Sequence, residues 1–336
     1  VRLCSFLHHD DHAEDTPRLG AVVGDEIVDL TAATTARLLA RGLPPTSARR
    51  LALELSPRDV VRLIDAGEVG RDAALEALAF VSETGADGAV SGYPIRRPLA
   101  GLRYLPAVPT PPLLRDFMAF EEHLRNIYPR LGREIPPEWY ELPVYYKGNP
   151  ASVGAHEDVV PIPSYATELD FEFELAAVIG PGGSDIPAEE ADAHIFGYTI
   201  YNDLSAREIQ TKEMAVGLGP AKGKDFHRGH VLGPWIVTRD ELARADDLAM
   251  RAFVNGELWT TATTATMHWR FADMIAHASR DETVRNGEVF GSGTVGGGSG
   301  AEVGRALHPG DVVRLEVEGV GTLVTRIGAR RSGGRS

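Results

Sequence analysis

Between Leu169 and Gly180 the chain reads LDFEFELAAVIG, in which Asp170, Glu172 and Glu174 alternate with Phe171, Phe173 and Leu175. A two-residue period belongs to an extended strand, so the three acids share one face and the apolar residues the other. Same-face neighbours lie roughly 6.5 to 7 Å apart, and like charges so placed raise one another's pKa unless a cation or solvent intervenes. Two more acids sit in apolar surroundings, Asp116 within LLRDFMAF and Asp203 after IFGYTIYN. Asp116, Glu172, Glu174 and Asp203 together form a candidate oxygen-ligand cage for a divalent metal. A solvated sheet face explains the Glu-x-Glu pair on its own; the other two acids argue for the cage. Hard oxygen donors favour Mg2+, with Ca2+ or Mn2+ as alternatives, over zinc, because no cysteine pairs with histidine at a zinc-binding spacing.

The 336 residues, 43% of them hydrophobic, suffice for one large domain and a smaller one. A net charge of -14 argues against nucleic acid or an anionic membrane as partner, since both demand a basic surface, and points to a small-molecule substrate. Cys4 is the sole cysteine, so no intrachain disulfide forms; with no signal-peptide h-region, a cytoplasmic protein is expected. No apolar run approaches a membrane span.

Residues 1 to 100 read as a small α+β domain, with a hairpin of RLGAVV and EIVDL about Gly24-Asp25. Helical spacing follows over 35–41, 57–66 and 71–82, with Ser56-Pro57 as a helix start. The proline-dense stretch Pro98 to Pro112 marks the boundary. A metal-binding catalytic β domain is expected over 105–330, with strands at 157–161, 169–179, 196–202, 231–238, 249–254 and 311–327, and a flexible basic tail over 331–336. The expected fold is a β-rich mixed α+β one.

Several segments carry candidate chemistry. Asp203 reads as the end of a strand and the N-cap of a short helix, on which Arg207 and Gln210 share a face; arginine there suits a substrate carboxylate. His123, seven residues after Asp116, is the best-placed base for a water beside a metal. Lys224 in KGKDF can stabilise developing negative charge. GSGTVGGGSGAE (Gly291 to Glu302) lacks the ending of a phosphate loop, and its glycines instead allow backbone amides and Thr294 close to a ligand. HRGH (His227 to His230) reads as loop.

Taken in order, Asp116 to His123, LPVYYKG (Leu142 to Gly148), LDFEFE, NDLSAREIQ (Asn202 to Gln210), GKDF and GSGT resemble the fumarylacetoacetate hydrolase family over roughly residues 105 to 328. The resemblance implies a β-roll or barrel catalytic domain, a homodimer, and metal ligands at the four acids already named. It further implies His123 as general base, Arg207, Gln210 and Lys224 around the substrate oxygens, and Tyr146 and Thr294 on its carboxylate. Position 126 holds Asn where some members carry a histidine-orienting glutamate, so Glu302 of the glycine-rich loop takes that role. Met118 stands where the type enzyme has tyrosine, and Arg130 and Arg133 are only approximate counterparts of its substrate-binding arginine.

The expected activity is metal-dependent hydrolysis of a carbon-carbon bond in a 1,3-diketone acid, an acylpyruvate or fumarylacetoacetate-like compound. The alternative is a decarboxylase, isomerase or dehydratase of a related 2-keto acid of the oxaloacetate type. A non-catalytic binding protein on the same scaffold is the third reading.

Overall fold

The computed structural model describes residues 1–10, 13–242 and 244–332, with backbone only for residues 9, 10, 13 and 14. The first hundred residues supply β1 (Arg2–Asp10), β2 (Ala13–Val23), β3 (Glu26–Asp29), α1 (Leu30–Ala40), α2 (Pro45–Leu55), α3 (Val60–Asp65), α4 (Gly67–Thr84) and β4 (Arg96–Pro98). The expected hairpin forms, with Val23 opposite Glu26. The helix start expected at Ser56-Pro57 lies three residues later, because the Asp59 carboxylate accepts from the Arg62 N–H and caps α3.

The site-bearing part of the chain begins with β5 (Leu114–Phe117), α5 (Glu121–Ile127), β6 (Tyr145–Gly148) and β7 (Val159–Pro161). It continues with β8 (Phe173–Ile179), β9 (Ile195–Asp203), α6 (Arg207–Val216) and β10 (His230–Thr238). The hairpin β11 (Ala249–Val254) and β12 (Glu257–Thr263) precedes β13 (Val289–Gly291), α7 (Gly300–Val303), β14 (Val312–Val317) and β15 (Gly321–Gly328). Among the described residues, ten strands of a twelve-stranded sheet run in the order β4-β3-β2-β1-β10-β9-β8-β13-β5-β6, and a five-stranded sheet runs β7-β15-β14-β11-β12. The two sheets with their flanking helices form a β-rich mixed α+β fold. β1 pairs antiparallel with β10, Leu3 opposite Ile236, so one sheet continues across the proline-dense segment.

The strand β8 explains why the acids are held so firmly. Every residue of Phe173–Ile179 is buried. Phe171, Phe173, Leu175, Ala177 and Ile179 enter a core shared with Phe290 and Leu315. Burying each phenylalanine contributes roughly 1.5–3 kcal/mol. On the opposite face the acids give way to Ala176 and Val178, which pack with Leu63, Ile64 and Leu19 of the N-terminal region. The acid face is therefore covered and not a solvated sheet surface: Glu172 is 7% exposed and Glu174 0%.

A cavity of about 560 Å³ lies between α3, α4 and the strand ends at Gly180, Phe196 and Thr238, and none of the four acids lines it. Among the described residues no helix is long and apolar enough to cross a membrane. Of the tail, the Arg331 N–H donates to the Ile162 carbonyl at 2.8 Å; residues 333–336 lie outside the described residues.

Candidate metal centre

Three strands bring the acids together, with Glu172 one residue ahead of β8 on an isolated bridge to Ser299. Asp116 rises from β5, which pairs parallel with β13 so that Asp116 lies opposite Gly291. Glu174 stands in β8 opposite Tyr201, and Asp203 ends β9 opposite His230. One ligand oxygen from each of Asp116, Glu172, Glu174 and Asp203 lies within 4.8 Å of the others, and all four residues are buried. This is a buried acidic cluster suited to a divalent metal.

The cluster's charge is only partly answered by the chain's own cations. Lys224 Nζ donates to Glu172 Oε2 at 2.6 Å and to Asp203 Oδ2. Arg207 reaches Glu172 Oε1 at 2.6 Å and Asp170 Oδ2 at 2.7 Å, and donates to Gln210 Oε1 at 3.0 Å. Burial alone would raise Glu172, but Arg207 and Lys224 hold it down at about 2. Asp203 is likewise held low against its burial by Lys224 and His230. Asp116 and Glu174 go the other way: burial, then repulsion from neighbouring carboxylates, raises both well above the ordinary range. Asp116 Oδ1 and Glu174 Oε1 are also buried without a hydrogen-bond partner. Unpartnered acceptors on two destabilised acids are what a hard cation would satisfy.

Gly291 leaves the room for it. A Cβ there would meet Asp116 Oδ1 at 2.6 Å and Glu174 Oε2 at 2.8 Å. Gly291→Ala is therefore expected to weaken Mn2+ binding by about tenfold in calorimetry, and unchanged affinity would show that the space between these two acids is not the ion's.

Beside the cage, His123 on α5 places Nδ1 2.9 Å from Glu302 Oε2. Glu302 sits on the single turn α7, capped by Ser299, whose hydroxyl donates to Oε2 at 2.9 Å. Its Oε1 accepts from Asn126 Nδ2 at 2.9 Å and from the Gly297 N–H at 2.8 Å. Burial would raise the Glu302 pKa, but His123, and after it Asn126 and the Gly297 N–H, lower it, so the carboxylate stays ionised against the imidazole.

The remaining candidates fall into place unevenly. Tyr146 donates to Asp203 Oδ2 at 2.8 Å, so its hydroxyl is committed to one of the four acids. Thr294 is buried on the glycine loop, next to Gly293, whose N–H donates to Glu174 Oε2 at 3.0 Å. Arg130 donates to the Ala301 and Glu302 carbonyls and so secures α7. The Met118 carbonyl accepts from Trp139 Nε1 at 2.8 Å. Asp203 does not cap a helix: α6 begins at Arg207 after Ala206, because the Asp203 carboxylate faces Lys224, Tyr146 and His230.

Two residues of the centre carry no role in the sequence reading. Asp170 accepts from the Gly300 and Ala301 N–H groups at 2.7 and 3.1 Å and from Arg207, joining α6 to the turn that bears Glu302. The alternation of LDFEFE puts it on the acid face but cannot show these donors. His230, expected in a loop, instead heads β10 and is fully buried. Burial opposes its charge, yet hydrogen bonds to Asp203 and Asp225 push its pKa up to about 9.

A family model described as fumarylacetoacetate (FAA) hydrolase C-terminal matches residues 113–328. Oxaloacetate tautomerase YisK of Bacillus subtilis (strain 168) is 30% identical over 224 residues, spanning 66% of this chain and 72% of that protein. The crystal structure of maleylpyruvate hydrolase from Sphingobium sp. SYK-6, in complex with manganese(II) and pyruvate, is 25% identical with a TM-score of 0.70, covering 98% of this chain and 100% of that one. 5-Carboxymethyl-2-hydroxymuconate delta-isomerase from Mycobacterium smegmatis is 28% identical with a TM-score of 0.59, covering 70% and 86%. With the matched region holding all four acids, His123, Lys224 and Glu302, the chain belongs to the fumarylacetoacetate hydrolase family.

Proposed function

We propose that this chain is a divalent-metal-dependent hydrolase that splits a carbon-carbon bond in a 1,3-diketone acid of the acylpyruvate class. The observation that carries the reading is the His123–Glu302 pair at 2.9 Å beside the four-acid cage. Hydrolysis needs a base for water, whereas decarboxylation does not; an isomerase or tautomerase would use the same base on a C–H bond and is distinguished by its products. Asp116, Glu172, Glu174 and Asp203 would hold the ion, Mg2+ with Ca2+ or Mn2+ as alternatives. When bound, such an ion supplies Lewis acidity to the two keto oxygens of a diketone acid.

The chain's own groups do the rest. Glu302 fixes His123 through Nδ1 and leaves Nε2 to accept a proton from water. The resulting hydroxide adds to the distal carbonyl carbon, and the bond to the central carbon breaks with its electron pair leaving toward the 2-keto acid half. His123 then returns its proton to that central carbon, so water is consumed and two acids are released. Arg207 stands among the substrate oxygens, Thr294 would contact the substrate carboxylate, and Lys224 and Gln210 would steady the negative charge that develops on the attacked carbonyl oxygen. The manganese and pyruvate bound by the Sphingobium hydrolase support this reading, because pyruvate is the 2-keto acid half of an acylpyruvate.

The second reading is an isomerase, tautomerase or decarboxylase of an oxaloacetate-type 2-keto acid, favoured by the Bacillus subtilis relative. A magnesium-supplemented ultraviolet assay across acylpyruvates and oxaloacetate separates the two. Stoichiometric pyruvate and carboxylic acid from an acylpyruvate is the expected result. Enol-to-keto conversion or carbon dioxide release without hydrolysis would replace the first reading with the second, and ligand binding without any product would leave a non-catalytic binder. The acting unit we propose is a homodimer, which light scattering on the purified chain checks.

A further inference from the structure

The register of β9 and β10 sets His230 directly across from Asp203, and directly opposed residues of an antiparallel pair project from the same sheet face. The imidazole is wholly buried, and both of its nitrogens are engaged. Nδ1 lies 3.1 Å from Asp203 Oδ1 and 2.7 Å from the Tyr201 hydroxyl, while Nε2 lies 2.9 Å from Asp225 Oδ1. Asp225 Oδ1 is itself fixed by the Asn149 N–H at 2.8 Å, from the loop that follows β6. Gly148 packs close to the ring: a Cβ there would meet Leu114 Cδ2 and come to 3.2 Å from His230 Cε1 and Nε2. Asp203 is thus gripped from two sides, by His230 on Oδ1 and by Lys224 and Tyr146 on Oδ2.

The geometry points to His230 as a positioning residue for the metal centre: clamped at one nitrogen by Asp225, it uses the other to set the angle of the Asp203 carboxylate toward Asp116, Glu172 and Glu174. Partners that orient metal-binding carboxylates govern affinity even though they never touch the ion. The inference rests on the cage binding a divalent ion and is independent of which reaction the centre performs.

The test is Mn2+ calorimetry on the full chain and three variants at position 230. Asparagine places an N–H where Nδ1 stands, glutamine reaches toward the Nε2 side, and leucine supplies neither. His230→Asn is expected to bind within about threefold of wild type, and His230→Leu and His230→Gln to bind about 10–100-fold more weakly. Asp225→Ala, on the partly exposed side of the clamp, guards against variants that fail to fold and is expected to weaken binding about tenfold. Wild-type affinity in the leucine variant, or an equal loss in asparagine and leucine, would overturn the role, since the first denies any effect and the second assigns it to packing. A wild-type chain that binds no Mn2+ would overturn the cage and this inference together.

Discussion

Alanine at position 123 should lower turnover of an acylpyruvate by about 10²–10⁴-fold, the usual contribution of a positioned base, while Mn2+ binds as before. His123 is no ligand of the cage: its Nδ1 faces Glu302 Oε2 at 2.9 Å, and the four acid oxygens converge without it. The loss should therefore fall on kcat and leave calorimetric metal affinity within experimental error. Glu302→Gln adds a second step to the argument. Glutamine keeps the size of the side chain but removes the charge that would stabilise the imidazolium, so a loss smaller than that of His123→Ala is expected, again in kcat. The two losses should not add in the double variant, because without the imidazole Glu302 has nothing left to orient. Full turnover in His123→Ala would remove this histidine from the chemistry, and carbon dioxide release that continues in the variant would favour the decarboxylase reading.

Much of this centre is legible in sequence because strand periodicity is local. The run from Leu169 to Gly180 declares its acid face through alternation alone, and β8 forms within it. What alternation cannot say is what covers that face. Over Ala176 and Val178, which continue that face, the cover includes Ile64 of α3 and Leu19 of β2, more than a hundred residues earlier, and over Glu172 and Glu174 it is Arg207, Lys224 and the Gly293 N–H. Helix and strand pairings between distant segments depend on the whole packing, which is also why the joining of β1 to β10 has no local signal. His230 shows the same limit at the scale of one residue. Its partner Asp203 is set by a strand register, and a short segment rich in Gly and His reads as loop until the register is known. The role of Glu302 follows only from the family resemblance, since its tie to His123 crosses a glycine-rich stretch whose path no periodicity describes.

Stripping the metal should reverse the usual pH dependence of a carboxylate-rich protein. Asp116 and Glu174 have folded-state pKa values raised well above the ordinary range by burial and by their acidic neighbours, against about 3.9 and 4.3 in an unfolded chain. The folded state then binds more protons than the unfolded one, so stability falls as pH rises. Their contribution is fully present below the unfolded values and is lost as pH climbs through the raised ones. His230, pushed up to about 9, acts in the same direction at higher pH, its share present below about 6.5 and lost through 9. Glu172 and Asp203 have the opposite sign, but their lowered values confine the loss to acid solution, as pH falls below the unfolded carboxylate range. In EDTA, thermal midpoints should therefore decline as pH is raised from about 5 upward. Mn2+ takes the place of the protons on Asp116 and Glu174, so its affinity rises over the same interval. At a hundredfold excess over Kd it should add about 2.7 kcal/mol, a gain on the order of 5 °C that widens with pH. An EDTA-treated chain whose midpoint climbs with pH above 5, or one indifferent to Mn2+, would mean that Asp116 and Glu174 are not the destabilised acids that an ion relieves.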